Sequence, residues 1–200
     1  SAGSLFGLSL AAHLAPTFGN ILVIGADIMS RSVLENGADA NTAMLFGDGA
    51  GACLVSPTAG FAVIQDSILC SDGQFSEELR FEFESPLEMK GKAIIMQASR
   101  KLPRVISDLL GRNQLSVDQI GVYLLHQANQ NLLNLVARSL GAPSDRFFSN
   151  ITIYGNTSSA SMLIAASEWF ERGLPSARDP IVFAAFGAGL HWGAMLAIAC

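Results

Sequence analysis

The chain has 200 residues, 50% of them hydrophobic and 14% charged, with a formal net charge of −5. So few charges on so apolar a chain predict one large domain or two small ones built on a sheet buried between helices, with some apolar surface meeting another chain. The acidic balance excludes a nucleic-acid partner, because phosphate contacts need a basic face and no Lys/Arg cluster exceeds the pair Arg100-Lys101.

The longest apolar runs, such as Ile181–Ala185, fall short of the roughly 20 residues that span a bilayer, so no membrane partner is expected. Ser1–Leu14 lacks the basic start of a secretory leader. Three cysteines (Cys53, Cys70, Cys200) share no metal-type spacing and read as small apolar core residues of a reduced, cytoplasmic protein. No metal or organic cofactor is expected.

In chain order, Ser1–Leu14 is apolar nearly all round and predicts a buried helix ended by Pro16 and Gly19. Ile21–Gly25 follows as a continuous apolar strand of the kind covered on both faces. Ala50–Ser56 is a second strand after the turn Gly47-Asp48-Gly49, and Phe61–Leu69 a third. Asp72–Pro86 is polar and acidic (Glu77, Glu78, Glu82, Glu84), an exposed excursion or hairpin and the one candidate domain boundary. Gly91–Leu110 returns to helical period, with Pro103 expected to kink or divide it. Ile120–Leu125 reads as a strand, Gln130–Leu140 as a helix stopped by Gly141 and Pro143, and Phe147–Ile153 as strand-like. Ser158–Glu171 is a helix, and Ile181–Phe186 and Gly193–Ala199 are two final strands around the turn Gly187-Ala188-Gly189. Alternating strands and helices give an α/β class.

Polar residues stand at three strand ends or turns, where α/β sheets build their sites. They are His126 in LLHQAN, Asn156 in YGNTS, and the Gly-rich FGAGLHWG. Singly, each has a structural reading. The histidine is a packed residue at a strand end, Gly-Asn-Thr a turn and helix cap, and Gly-x-Gly an unremarked turn, since a strand follows it instead of a phosphate-binding helix. His191 reads as a packed strand residue, His13 as a helix flank, Asp48 as a turn residue, and Met44-Leu45-Phe46 as core or interface.

Together the three change meaning. HQANQNLL, YGNTSSAS and AFGAGLHWGAML, with FGDGAGACLV (46–55), VIGADIMSR (23–31) and MKGK (89–92), follow the order and spacing of ketoacyl-acyl-carrier-protein synthases of type III. The resemblance runs over essentially the whole chain. It implies a thiolase-like fold, layered α/β/α/β/α and here lacking its N-terminal part. Residues 1–70 are then the remainder of the first half and 71–200 the second half carrying His and Asn.

The resemblance also implies a Cys-His-Asn triad acting on thioesters, in a decarboxylative Claisen condensation of an acyl-CoA with a malonyl thioester. His126 and Asn156 match the histidine and asparagine. A neutral imidazole N–H and a carboxamide N–H aimed at the thioester oxygen stabilise the enolate that decarboxylation creates. The nucleophile falls at Ser1 or at a cysteine just before it, at the amino end of the first helix, where unpaired N–H groups favour thiolate. The backbone around Gly187 and Ala188 supplies a second oxyanion hole, with Ala188 standing where the family has glycine. Gln127 and Asn131 are expected at the substrate or carrier contact; Asn131 replaces a basic residue common there, so the extender arrives on an acyl-carrier protein or on CoA. A homodimer is implied. The rival reading is a non-catalytic or half-active partner subunit, or an acyl transferase of a specialised pathway.

Overall fold

The computed structural model describes residues 1–35, 37–82, 85–173 and 175–200; Glu84 of the acidic stretch lies outside them. The order is α1 (Gly3–Phe18), β1 (Ile21–Asp27), a π turn (Arg31–Glu35), α2 (Ala40–Ala43), β2 (Gly49–Val55) and β3 (Ala62–Ser71). A 3-10 turn (Gly73–Glu78), β4 (Leu79–Arg80) and β5 (Glu88–Met89) follow, then α3 (Gly91–Arg112), β6 (Val122–Leu125) and α4 (Gln130–Leu140). The chain closes with α5 (Ile151–Tyr154), a 3-10 turn (Ser158–Ala160), α6 (Ser161–Arg172), β7 (Pro180–Gly187) and β8 (His191–Ala199).

Strands β3, β8, β7 and β6 form one sheet in that order, antiparallel except for the parallel pair β6–β7. Strands β6, β7 and β8 are buried on both faces because the two sides face different helices, whereas the edge strand β3 is partly exposed. Leu102, Ile106 and Leu109 of α3 and Leu132, Leu133 and Val136 of α4 pack with Tyr123, Leu125, Val182 and Leu196. Leu5, Leu8 and Ala11 of α1 and Met162 and Leu163 of α6 pack with Leu124, Ile181, Phe183 and Met195 on the other side. The antiparallel pair β1–β2 covers the far side of α1 and α6. These are four of the five expected layers, in the order α/β/α/β.

Several expectations are corrected. Helix α1 continues through Pro16 to Phe18, losing one backbone hydrogen bond near its end, where fraying costs little, and it is not buried all round. Leu10 and Phe18 are exposed while Leu5 and Leu8 are not. Pro103 does not divide α3, which runs unbroken with Pro103 buried in the core. Residues 147–153 are not a strand. Only Phe147 bridges to Tyr123, their rings stacked 4.4 Å apart, and the chain then turns into α5. Strand β1 is covered on one face only: Leu22, Ile24 and their cross-strand neighbour Leu54 are exposed. The chain passes from the two-stranded sheet to the four-stranded one through residues 56–61, with β3 pairing to β8.

Candidate active site

His126 stands at the tip of β6, the shortest strand of the four-stranded sheet, where its backbone N–H donates to Ala184 O at 2.8 Å and prolongs the ladder to β7. Asn129 then caps α4 by accepting the Leu132 N–H (2.8 Å). The histidine is thereby fixed between a strand end and a helix start. Its Nδ1 meets Ser161 Oγ at 2.5 Å, which leaves Nε2 for the cavity. Burial pushes the imidazole down to about 3, so the ring is neutral at physiological pH and offers the cavity a hydrogen-bonding group, not a charge.

Asn156 is held by backbone. Its N–H donates to Leu45 O (2.8 Å) and its carbonyl accepts the Gly47 N–H (3.1 Å), a one-residue bridge between the Asn156 turn and the segment leading into β2. Gly47 is glycine of necessity, because a Cβ there would lie 2.0 Å from Tyr154 O. The Ser158 N–H donates to Asn156 Oδ1 at 2.9 Å. This sets the amide the right way round: the oxygen is occupied within the turn, and the NH2 is free to donate outward. Asp48, expected as a plain turn residue, accepts from the N–H and hydroxyl of Ser30 (2.7 Å each), tying the loop after β1 to the start of β2. Those hydrogen bonds hold its carboxyl below the usual carboxylate range.

The amino end of α1 completes the polar cluster. No side chain caps it, and a Cβ on Gly187 would lie 2.8 Å from Ala2 N and 3.2 Å from Ser1 Cβ. The end of β7 therefore touches the helix start, and only glycine permits that approach. Ser1, His126, Asn156 and Ala188 all line one cavity of about 270 Å³. Asp27, at the end of β1, lines it too; its carboxylate accepts the Ser159 N–H (2.9 Å) and Ser159 hydroxyl, pinning the turn that follows Asn156. Arg80, Ser32, Asn129 and Ser158 also line the cavity, and most of the remaining wall is apolar and comes largely from the hairpin β4–β5 and the start of α3: Leu79, Phe81, Leu87, Met89, Ile94 and Ile95.

The four residues Ser1, His126, Asn156 and Ala188 thus converge as the sequence implied. Gln127 does not join them, which corrects the expected contact. Its side chain is fully buried, donating to Leu125 O (2.9 Å) and Phe148 O (3.2 Å) and accepting the Asn150 N–H (3.2 Å). It braces the loop from behind. Asn131 is exposed on the first turn of α4, outside the cavity lining. His191 is exposed and bonded to Ser71 Oγ at 2.7 Å, and His13 bonds its own helix at Ser9 O (2.7 Å). Leu45 and Phe46, expected as core or interface, line the cavity, while Met44 is exposed. Cys53 and Cys70 are half-buried and Cys200 is exposed, so the last is not the core residue expected. The contributions missed outright were the hairpin wall and the serines 158, 159 and 161. Their only signal was a run of small polar residues opening an apolar helix.

Two family models match the chain: 3-oxoacyl-(acyl-carrier-protein) synthase III over residues 1–73, and the C-terminal part of the same family over residues 110–198. The chain belongs to this synthase III family. The beta-ketoacyl-(acyl-carrier-protein) synthase III of Nostoc sp. (strain PCC 7120) is 38% identical over 213 residues, covering 97% of this chain and 64% of that protein. The chain thus spans about 64% of the length of the curated relatives it matches. Among solved structures, the Aquifex aeolicus 3-oxoacyl-(acyl-carrier-protein) synthase III superposes with a TM-score of 0.92 at 33% identity, covering 98% of this chain and 64% of that one. The priming beta-ketosynthase of a polyketide biosynthetic pathway gives 0.88 at 26%, covering 99% and 63%. The fold is therefore thiolase-like, and no described helix is long and apolar enough to cross a membrane.

Proposed function

We propose that this chain carries the thioester-condensing centre of a beta-ketoacyl synthase III, joining an acyl-CoA to a malonyl thioester by decarboxylative Claisen condensation. The observation that carries the reading is the convergence of His126 and Asn156 on one largely apolar cavity with the amino end of α1. Loss of CO2 from a malonyl thioester moves negative charge onto the thioester oxygen. His126 Nε2–H and Asn156 Nδ2–H donate to that oxygen, and the shielded wall raises what each hydrogen bond contributes. The neutral state of His126 fits this work.

The nucleophile is the group at the amino end of α1, Ser1 or a cysteine next to it, activated by the uncapped N–H groups of the first turn. The Ala188 N–H, beside Gly187, serves the oxyanion of the acyl-transfer step. Asn131 meets the carrier of the extender, an acyl-carrier protein or CoA, from outside the cavity. The chain works in the cytoplasm as a homodimer, and 1–70 and 71–200 are the two related halves of the resemblance.

Mass spectrometry after incubation with a short acyl-CoA tests the assignment. An acyl adduct on the residue at the amino end of α1 is expected. No adduct, together with no release of CO2 from a malonyl thioester, overturns it.

A further inference from the structure

The hydrogen bonds of Ser161 carry more than packing. Its hydroxyl is buried and has one proton and two lone pairs. One lone pair is taken by the Gln127 backbone N–H at 3.1 Å. Two further partners remain: His126 Nδ1 at 2.5 Å and Ser158 O at 3.1 Å. Ser158 O already accepts the backbone N–H of Ser161 and is satisfied without the hydroxyl. Nδ1 has no other partner among the described residues, and a buried ring nitrogen left unpaired costs free energy. A contact of 2.5 Å also matches an O–H donor better than an N–H donor, whose usual range starts near 2.7 Å. The proton therefore goes from Ser161 Oγ toward Nδ1.

We propose that Ser161 is a positioning residue that fixes the tautomer of His126, holding the proton on Nε2 so that the ring presents a donor, not a lone pair, to the cavity. This rests on the functional reading above for its consequence, though not for its geometry. The Gln127 N–H fixes where the Ser161 oxygen sits, and the oxygen fixes the plane of the ring. Without the hydroxyl, His126 is free to carry its proton on Nδ1. Nε2 would then face the enolate oxygen with a lone pair and repel it.

Nitrogen-15 NMR of histidine-labelled protein reads the tautomer directly. Wild type is expected to show His126 as the neutral Nε2–H form between pH 6 and 8. A dominant Nδ1–H form in wild type overturns the proposal, whatever any variant does. In Ser161→Ala the Nδ1–H signal is expected to grow, and malonyl decarboxylation to lose roughly tenfold in kcat with KM for the malonyl thioester little changed, about the effect of one net hydrogen bond. Ser161→Thr, which keeps the hydroxyl, is expected to restore the Nε2–H signal. An unchanged tautomer ratio in Ser161→Ala contradicts the proposal. If wild type decarboxylates nothing while the NMR result holds, the functional reading fails and the role of Ser161 in setting the tautomer stands.

Discussion

The two walls of the cavity are held in opposite ways. The wall with His126 and Asn156 is fixed by main chain: β6 against β7 at one residue, the Leu45–Gly47 segment at the other. Behind it the Gln127 amide donates to backbone, the Ser158 N–H donates to the Asn156 side chain, and the Ser161 hydroxyl oxygen accepts the Gln127 N–H. The facing wall hangs from two strands of two residues each and from the start of α3, and Phe81 on it is half-exposed. The chemistry-bearing wall is over-determined, whereas the hairpin wall depends on side-chain size. In the functional reading, the first fixes what reaction occurs and the second which acyl group fits.

Three experiments press on this difference. The largest effect belongs to Gly47→Val, since its side chain would overlap Tyr154 O and break the bridge to Asn156. A loss of about 3 kcal/mol or more in urea unfolding is expected; a loss under about 1 kcal/mol would mean that the wall is not held by that bridge. Next comes the acid limb of stability. The unfolded imidazole protonates near its ordinary value of about 6.5, while the folded ring stays neutral down to about 3. Between those values the unfolded state binds the extra proton, so this contribution is complete above about 6.5 and is lost as pH falls toward 3, by at most about 1.4 kcal/mol per pH unit. His126→Gln should flatten that limb relative to wild type, and parallel curves for the two would count against a buried neutral ring. The smallest effect on folding is expected for Phe81→Ala on the hairpin, within about 0.5 kcal/mol of wild type. Its readout is instead a shift in acyl-CoA chain-length preference, and an unchanged preference would remove Phe81 from the acyl wall.

What the sequence made legible follows the same division. Helix α4 lies at Gln130–Leu140 as its period and the stop at Gly141 imply, and β7 and β8 lie close to their expected ranges. Local period and punctuation suffice where one face is buried along the whole element. His126 and Asn156 were legible only as members of a set of phrases, because a lone histidine or a Gly-Asn turn has an ordinary structural use. A hairpin was one of the two readings of Asp72–Pro86, but its place in the cavity wall was not legible: a two-residue strand has no period to read, and its polar neighbours hide Leu87 and Met89. Gln127 misled because its place in the motif says nothing of where its side chain points. Its buried amide satisfies three backbone groups instead of meeting a ligand. Exposure of Leu22 and Ile24 on β1 was equally hidden, since an apolar strand reads alike whether or not a layer covers it.

The account turns on the two neutral donors acting on one oxygen. The most direct measurement is release of CO2 from a malonyl thioester by wild type, His126→Ala and Asn156→Ala, each checked for acyl loading by mass spectrometry. Each variant should load acyl groups yet lose about 10²- to 10³-fold in decarboxylation, the usual effect of removing one oxyanion donor. Decarboxylation within a few-fold of wild type in either variant would contradict the account.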